Sequence, residues 1–179
     1  MKNSFKSLLV GIARDLPDNR FTVRRFLFNY FYKARFRILL NYRIGRFCVE
    51  NKNFFFNRVA LRYRYKLLTK RGCDISYKAE IFENLSLPHP IGIVIGEGVV
   101  IKNNVTIFQQ VTLGSHGKKG EMLSYPVIEN NVKIYAGAKI IGGVTVGENS
   151  IVGANTLVNK NVPANSVAYG VPCKIKVIE

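Results

Sequence analysis

The chain has 179 residues, 47% of them hydrophobic, with 27 Lys and Arg against 11 Asp and Glu for a formal net charge of +16. That apolar fraction suffices for a core and excludes a disordered chain. Three cysteines, odd in number and without metal-ligand or paired spacing, exclude a disulfide scaffold and point to a reducing, cytoplasmic setting. No run approaches the roughly 20 apolar residues that span a bilayer, and residues 8–13 are too short for a signal-peptide core.

The charge is uneven. Residues 1–72 hold 18 Lys and Arg against Asp15, Asp18 and Glu50, whereas residues 73–179 are nearly neutral. The same stretch holds 15 of the 21 aromatics, in runs such as "RRFLFNYFYKARFRILLNYRIGRF". These runs predict helices bounded by "LPDN" and "ENKN", with Asp18 or Asn19 as a cap. Two roles are open for this arm: packing within or between subunits, or adsorption to an anionic membrane surface through rings and basic side chains. Nucleic acid is not expected as a partner, since no reading motif accompanies the charge.

From residue 73 an internal period takes over. Aliphatic residues fall every six positions at Ile95, Ile101, Ile107 and Leu113, and again at Ile128, Ile134, Ile140, Val146, Val152 and Val158. Small or β-branched residues follow each of the later six by four positions. A period of six fits neither a helix nor a hairpin strand, but it fits a parallel β-helix in which each hexad forms one side of a triangular coil.

The register breaks twice. Between Leu87 and Ile95 there are two extra residues, predicting a bulge that holds His89 between Pro88 and Pro90, off the regular wall. Between Leu113 and Ile128 stands "GSHGKKGEMLSYP", which predicts a protruding loop over 114–126.

The hexads resemble those of the hexapeptide-repeat acyltransferases, which implies a left-handed β-helix over residues 73–179, preceded by the basic helical region 1–72, and a homotrimer, with pairing of trimers left open. The segment "CDISYKAEIFENLSLPHPIGIVIG" resembles that of serine acetyltransferases, where an aspartate, a histidine fifteen residues later and Gly-Ile-Val-x-Gly form a catalytic dyad. Asp74 and His89 keep that separation, and "TLG", "AGAKIIGG" and "GVPCKI" extend the match. The resemblance implies acetyl-CoA as co-substrate and no metal. It places Ala136, Gly137, Ala154, Lys160, Gly170, Pro172 and Lys174 along the coenzyme groove. His116, Lys118 and Tyr125 of the loop become acceptor-binding candidates.

Chemistry gives the pair its roles. An alcohol attacking a thioester must lose a proton, and neutral imidazole is suited to accept it, so His89 is the expected base. A carboxylate on the other ring nitrogen fixes the tautomer, the role for Asp74. Backbone donors at Gly114 and Ser115 are candidates for the oxyanion. No Ser or Cys nucleophile is suitably placed, so direct attack is expected rather than an acyl-enzyme.

For the acceptor, the sequence departs from the serine enzymes. Pro88 stands where they carry an aspartate, and Ser124-Tyr125 where they carry an Arg-His pair. The charges of serine would then lack matching partners. With the closing "KIKVIE", the nearest resemblance is to the short acetyltransferases of colanic acid and capsule synthesis. The expected reaction is therefore O-acetylation of a sugar hydroxyl of a bacterial surface glycan or its precursor. The alternatives are serine O-acetylation in cysteine biosynthesis and a non-catalytic scaffold with a polyanion- or membrane-binding arm.

Overall fold

The computed structural model describes residues 5–51, 53–117 and 123–178, leaving the candidate Lys118 outside the described residues. The basic arm forms α1 (Phe5–Arg14), a 3-10 turn (Pro17–Asn19), α2 (Val23–Tyr32), α3 (Ala34–Glu50) and α4 (Phe54–Arg71). The expected cap at Asp18 or Asn19 is corrected. Thr22 caps α2, its hydroxyl accepting from Arg25 N at 3.3 Å, while Asp18 sits inside the 3-10 turn at φ 57°. The second boundary holds, with Asn53 Oδ1 accepting from Phe55 N at 2.9 Å to cap α4.

Gly72 ends α4 in the left-handed region and hands the chain to the β-helix. Its strands are β1 (Asp74–Ile75), β2 (Glu80–Ile81), β3 (Val94–Ile95), β4 (Val100–Ile101), β5 (Thr106–Ile107), β6 (Thr112–Gly114) and β7 (Val127–Ile128). They continue as β8 (Lys133–Ile134), β9 (Lys139–Ile141), β10 (Thr145–Val146), β11 (Ile151–Val152), β12 (Leu157–Val158), β13 (Ser166–Tyr169) and β14 (Lys174–Val177). They stack into three walls: wall A runs β1-β3-β6-β9-β12, wall B β2-β4-β7-β10, and wall C β5-β8-β11-β13-β14. All pairs are parallel except β13 with β14.

Register measures both insertions. Val94 pairs with Thr112, one coil of eighteen residues apart, but Asp74 pairs with Val94 at twenty. The two additional residues belong to the His89 bulge. Thr112 pairs with Lys139 at twenty-seven, which places nine inserted residues in the 114–126 loop.

The sixth-position residues line the axis: Ile95, Ile101, Ile107, Leu113, Ile128, Ile134, Ile140, Val146, Val152 and Val158 are all buried. Each such side chain contributes about 1.5–3 kcal/mol by leaving water. Three buried hydroxyls interrupt the apolar column among the described residues, and all are satisfied, Ser166 Oγ by donating to Ala164 O at 3.2 Å. Ser150 Oγ donates to Pro163 O at 2.7 Å, and Thr156 Oγ1 accepts from Gly170 N at 3.1 Å.

One corner is an asparagine ladder. Asn84, Asn104, Asn131, Asn149 and Asn165 all have positive φ, and each of the first four donates Nδ2 to the next Oδ1 at 3.0–3.2 Å. Asparagine tolerates the left-handed conformation better than most residues and can hydrogen-bond along the stack.

The first coil would present an open edge, and α3 covers it. Tyr42 Oη donates to Ala79 O at 2.6 Å, and Arg43 donates to Ile81 O and Phe82 O, each at 2.8 Å. Arg43 also meets the buried Asp15 at 3.0 Å. Tyr77 Oη donates to Asn41 Oδ1 at 2.8 Å, and its ring lies where a side chain at Gly45 would stand. The arm is therefore structurally continuous with the β-helix.

Candidate active site

The His89 bulge is pinned to the end of α4. Gly92 N donates to Gly72 O at 2.7 Å, Cys73 Sγ to Pro90 O at 3.2 Å, and Asp74 N to Ile93 O at 2.9 Å. Asp74 and His89 thus come from facing segments of adjacent coils. The Asp74 carboxylate accepts from Arg64 Nη2 at 3.2 Å, and among the described residues the His89 ring makes no hydrogen bond to it. The His89 ring is exposed and rests near Phe108, centroids 6.4 Å apart, and Phe108 stacks on Tyr135 at 5.0 Å.

Cys73 is the thiol beside the bulge, and burial pushes it up from its ordinary range, opposing thiolate formation. It is therefore a poor nucleophile.

The other candidates divide between the two edges of wall A. One edge begins at the bulge: Gln110 N donates to Ile91 O, Gly137 N to Gln109 O and Asn155 N to Ala136 O, each at 2.9 Å. Ala136, Gly137 and Ala154 therefore lie on the His89 edge. Gly170 continues it through its bond to Thr156, with Pro172 and Lys174 exposed beyond. Gly137 has φ +73°, and an added Cβ would lie 2.0 Å from Asn155 Oδ1. Gln109 Oε1, on this edge, is buried without a hydrogen-bond partner among the described residues.

The opposite edge carries Gly114, Ser115 and His116. Gly142 N donates to Gly114 O at 2.9 Å, Ser115 Oγ accepts from Gly117 N at 3.1 Å, and His116 Cδ2 lies 3.6 Å from where a Cβ at Gly142 would be. Lys160, two residues beyond the Val158–Ile140–Leu113 register, falls on this second edge rather than with Ala136. Tyr125 packs its ring over Gly96 and Gly98, sealing the return of the loop onto the coil. The five residues of extended chain from Gln110 to Gly114, which include β6, separate the edges by roughly 15 Å.

Sequence reasoning missed Arg64, Phe108, Tyr135 and Gln109. Phe108 and Tyr135 each follow an axial residue, Ile107 and Ile134, that are partners in one wall, so the coil period could have found their stacking. Arg64 carries no such signal. No cluster of metal-ligating side chains occurs among the described residues, nor any helix long and apolar enough to cross a membrane.

Comparison with known proteins identifies the fold and its relatives. Residues 125–160 match the family "Bacterial transferase hexapeptide (six repeats)", and residues 89–109 match "Hexapeptide repeat of succinyl-transferase". A serine acetyltransferase of Buchnera aphidicola (subsp. Schizaphis graminum) is 38% identical over 153 residues, covering 86% of this chain and 58% of its own. Soybean serine acetyltransferase complexed with serine superposes with a TM-score of 0.81 at 29% identity, covering 96% of this chain and 70% of that one. A serine acetyltransferase in complex with CoA does so at 0.80 and 31%, covering 96% and 71%. The chain spans about half to three fifths of the length of the curated relatives it matches.

These findings overturn the expectation of a glycan acceptor and of a nearest resemblance to colanic acid and capsule acetyltransferases. The relatives are serine acetyltransferases, and the match takes in the helical region that set the chain apart in sequence. Two local substitutions, Pro88 and Ser124-Tyr125, weigh less than similarity along nearly the whole chain. The fold is a left-handed β-helix, and the chain belongs to the hexapeptide-repeat acyltransferases, its similarity within them being to serine acetyltransferases.

Proposed function

We propose that the chain is an acetyl-CoA-dependent serine O-acetyltransferase. The observation that carries this reading is the match, over 96% of the chain, to solved serine acetyltransferases holding serine and CoA.

In this reading His89 takes the proton of the serine hydroxyl as its oxygen attacks the thioester carbonyl. Backbone donors near Gly114 and Ser115 receive the developing oxyanion. As the tetrahedral adduct collapses, the C–S bond breaks and the imidazolium returns its proton to the departing CoA sulfur. Asp74 orients and balances the imidazolium once released from Arg64. Direct attack is supported by the raised thiol of Cys73, the cysteine pinned to the bulge.

CoA would lie along the His89 edge, past Ala136, Gly137 and Ala154 toward Gly170, Pro172 and Lys174. The unpartnered Gln109 Oε1 suits a pantetheine amide N–H there. His89 and the pair Gly114 and Ser115, with His116, occupy opposite edges of wall A. One chain therefore holds two half-sites, and a cyclic trimer that sets the His89 edge of one copy against the His116 edge of the next would complete each. Lys160 then faces the CoA of the neighbouring copy, and Lys118 and Tyr125 belong to the loop that crosses between copies. The buried, unpaired cysteines agree with a cytoplasmic setting.

The test is release of CoA thiol from acetyl-CoA by the purified protein with L-serine, with O-acetylserine identified by mass. Turnover with serine, and none with sugars or sugar nucleotides, is expected. Failure with serine at saturating acetyl-CoA by a trimeric, CoA-binding preparation would sink the reading.

A further inference from the structure

We propose that the outward face of α2 docks onto an anionic lipid bilayer, a surface property independent of the acetyl-transfer reading. A helix on a globular surface turns its apolar stripe inward; α2 carries apolar residues outward. Phe26 packs edge-on against Phe36 at 5.5 Å and Asn29 is buried, so these mark the inner side. Val23, Leu27 and Phe31 at i, i+4 and i+8, with Phe28 and Tyr32 beside them, form the outer side, where they are 68, 47, 60, 53 and 75% exposed. Phe21, just before the helix, extends the patch.

Cations frame this patch. Arg20, Arg24 and Lys33 are exposed and have no acidic partner among the described residues, and Lys33 Nζ stands 6.0 Å from the centre of the Phe28 ring. The three acids of residues 1–72 are already engaged: Asp15 with Arg43, Asp18 with Arg25 and Glu50 with Arg46. From the β-helix, Glu83 pairs with Arg14 and Asp74 with Arg64, both away from α2, so the cations that frame the patch stay uncompensated among the described residues.

Charge and apolarity together select the occupant. A second copy placed face to face would bring Arg20, Arg24 and Lys33 against their own kind without an acid to pair them. A nucleic acid would take the cations but leave Val23 and Leu27 without an apolar partner. A bilayer with anionic headgroups satisfies both, the ten-residue helix, about 15 Å long, lying in the interface with rings among the upper acyl chains.

The chain contains no tryptophan, so Phe28→Trp creates a single fluorophore on the patch. With vesicles of phosphatidylcholine and phosphatidylglycerol, the full chain should co-sediment and the indole emission should shift to the blue. Phosphatidylcholine alone should bind far less. Changing Arg20, Arg24 and Lys33 together to Gln should weaken binding about 10²-fold. Leu27→Ser with Phe31→Ser should abolish the blue shift; all these side chains are exposed, so the fold stands. No binding at low salt, or an emission that stays that of water-exposed indole on the vesicles, overturns the proposal. So does a fall in solution mass for the Leu27→Ser, Phe31→Ser chain, which assigns the face to a second copy. Oligonucleotide binding that ignores those two substitutions, without vesicle binding, assigns the cations to nucleic acid and equally overturns it.

Discussion

Arg64 of α4 holds the carboxylate of Asp74 at 3.2 Å, so the residue matching the family's dyad aspartate is engaged by the helical arm rather than by His89. Both partners of this pair are substantially exposed, which keeps the pair weak and exchangeable. Substrate or a neighbouring copy that displaces Arg64 would free Asp74 for the imidazole.

Arg64→Gln separates the two partners of Asp74. With the guanidinium gone, the carboxylate loses its competing partner and is free to turn to the imidazole, so kcat should rise. In the Asp74→Asn background the same substitution should leave kcat in place. Turnover of the four chains measures this, and a kcat that never moves would remove Arg64 from the mechanism.

His89→Ala should lower kcat by about 10²–10⁴-fold, the usual contribution of a general base, with CoA affinity by calorimetry unchanged. His116→Ala should raise KM for serine more than it lowers kcat. The reverse pattern would transfer the base to His116.

Tyr77→Phe leaves Asn41 Oδ1 without its buried donor and should cost about 1–3 kcal/mol in urea unfolding. Burial pushes the Tyr77 hydroxyl above its ordinary range. A raised folded-state value means stability that is fully present below about pH 10, the unfolded value, and is lost as pH rises toward the folded one. The wild-type chain should lose stability in that alkaline window, and Tyr77→Phe should lose less there.

Asn131, at φ 60°, donates to Asn149 and accepts from Asn104 in the corner ladder. Asn131→Ala loses both bonds and forces a Cβ-bearing residue without local compensation into the left-handed region. Asn131→Gly loses the bonds alone. Alanine should be the more destabilising by about 1 kcal/mol, read as a difference in thermal midpoint, and equal midpoints would show that the backbone conformation contributes little.

The β-helix was legible because its signal is periodic: every axial residue from Ile95 to Val158 repeats one environment. The two breaks, between Leu87 and Ile95 and over 114–126, showed as departures from that count. The arm was legible only as helix. Its contacts, such as Tyr42 with Ala79 and Arg43 with Ile81, join residues almost forty apart by single side chains, and no period announces them. The cap at Thr22 was missed because "LPDN" offers stronger capping residues that the 3-10 turn instead consumes. The acceptor was misread because Pro88 and Ser124-Tyr125 were weighed singly, while the shared architecture extends through the helices. Tyr125, an acceptor-binding candidate by its place in the loop, is held by its ring against Gly96 and Gly98, a contact between residues brought together only by the loop's return.

The roof that α3 lays over the first coil also governs growth. A stack of parallel strands with a bare end invites another stack to continue it, and filaments follow. Here Tyr42, Arg43 and Arg46 occupy the carbonyls of Ala79, Ile81 and Phe82 that an incoming strand would need. At the far end β14 turns back antiparallel along wall C and presents Lys174 and Lys176 at its edge. Strand-on-strand growth along the coil axis is therefore opposed both at the first coil and at β14.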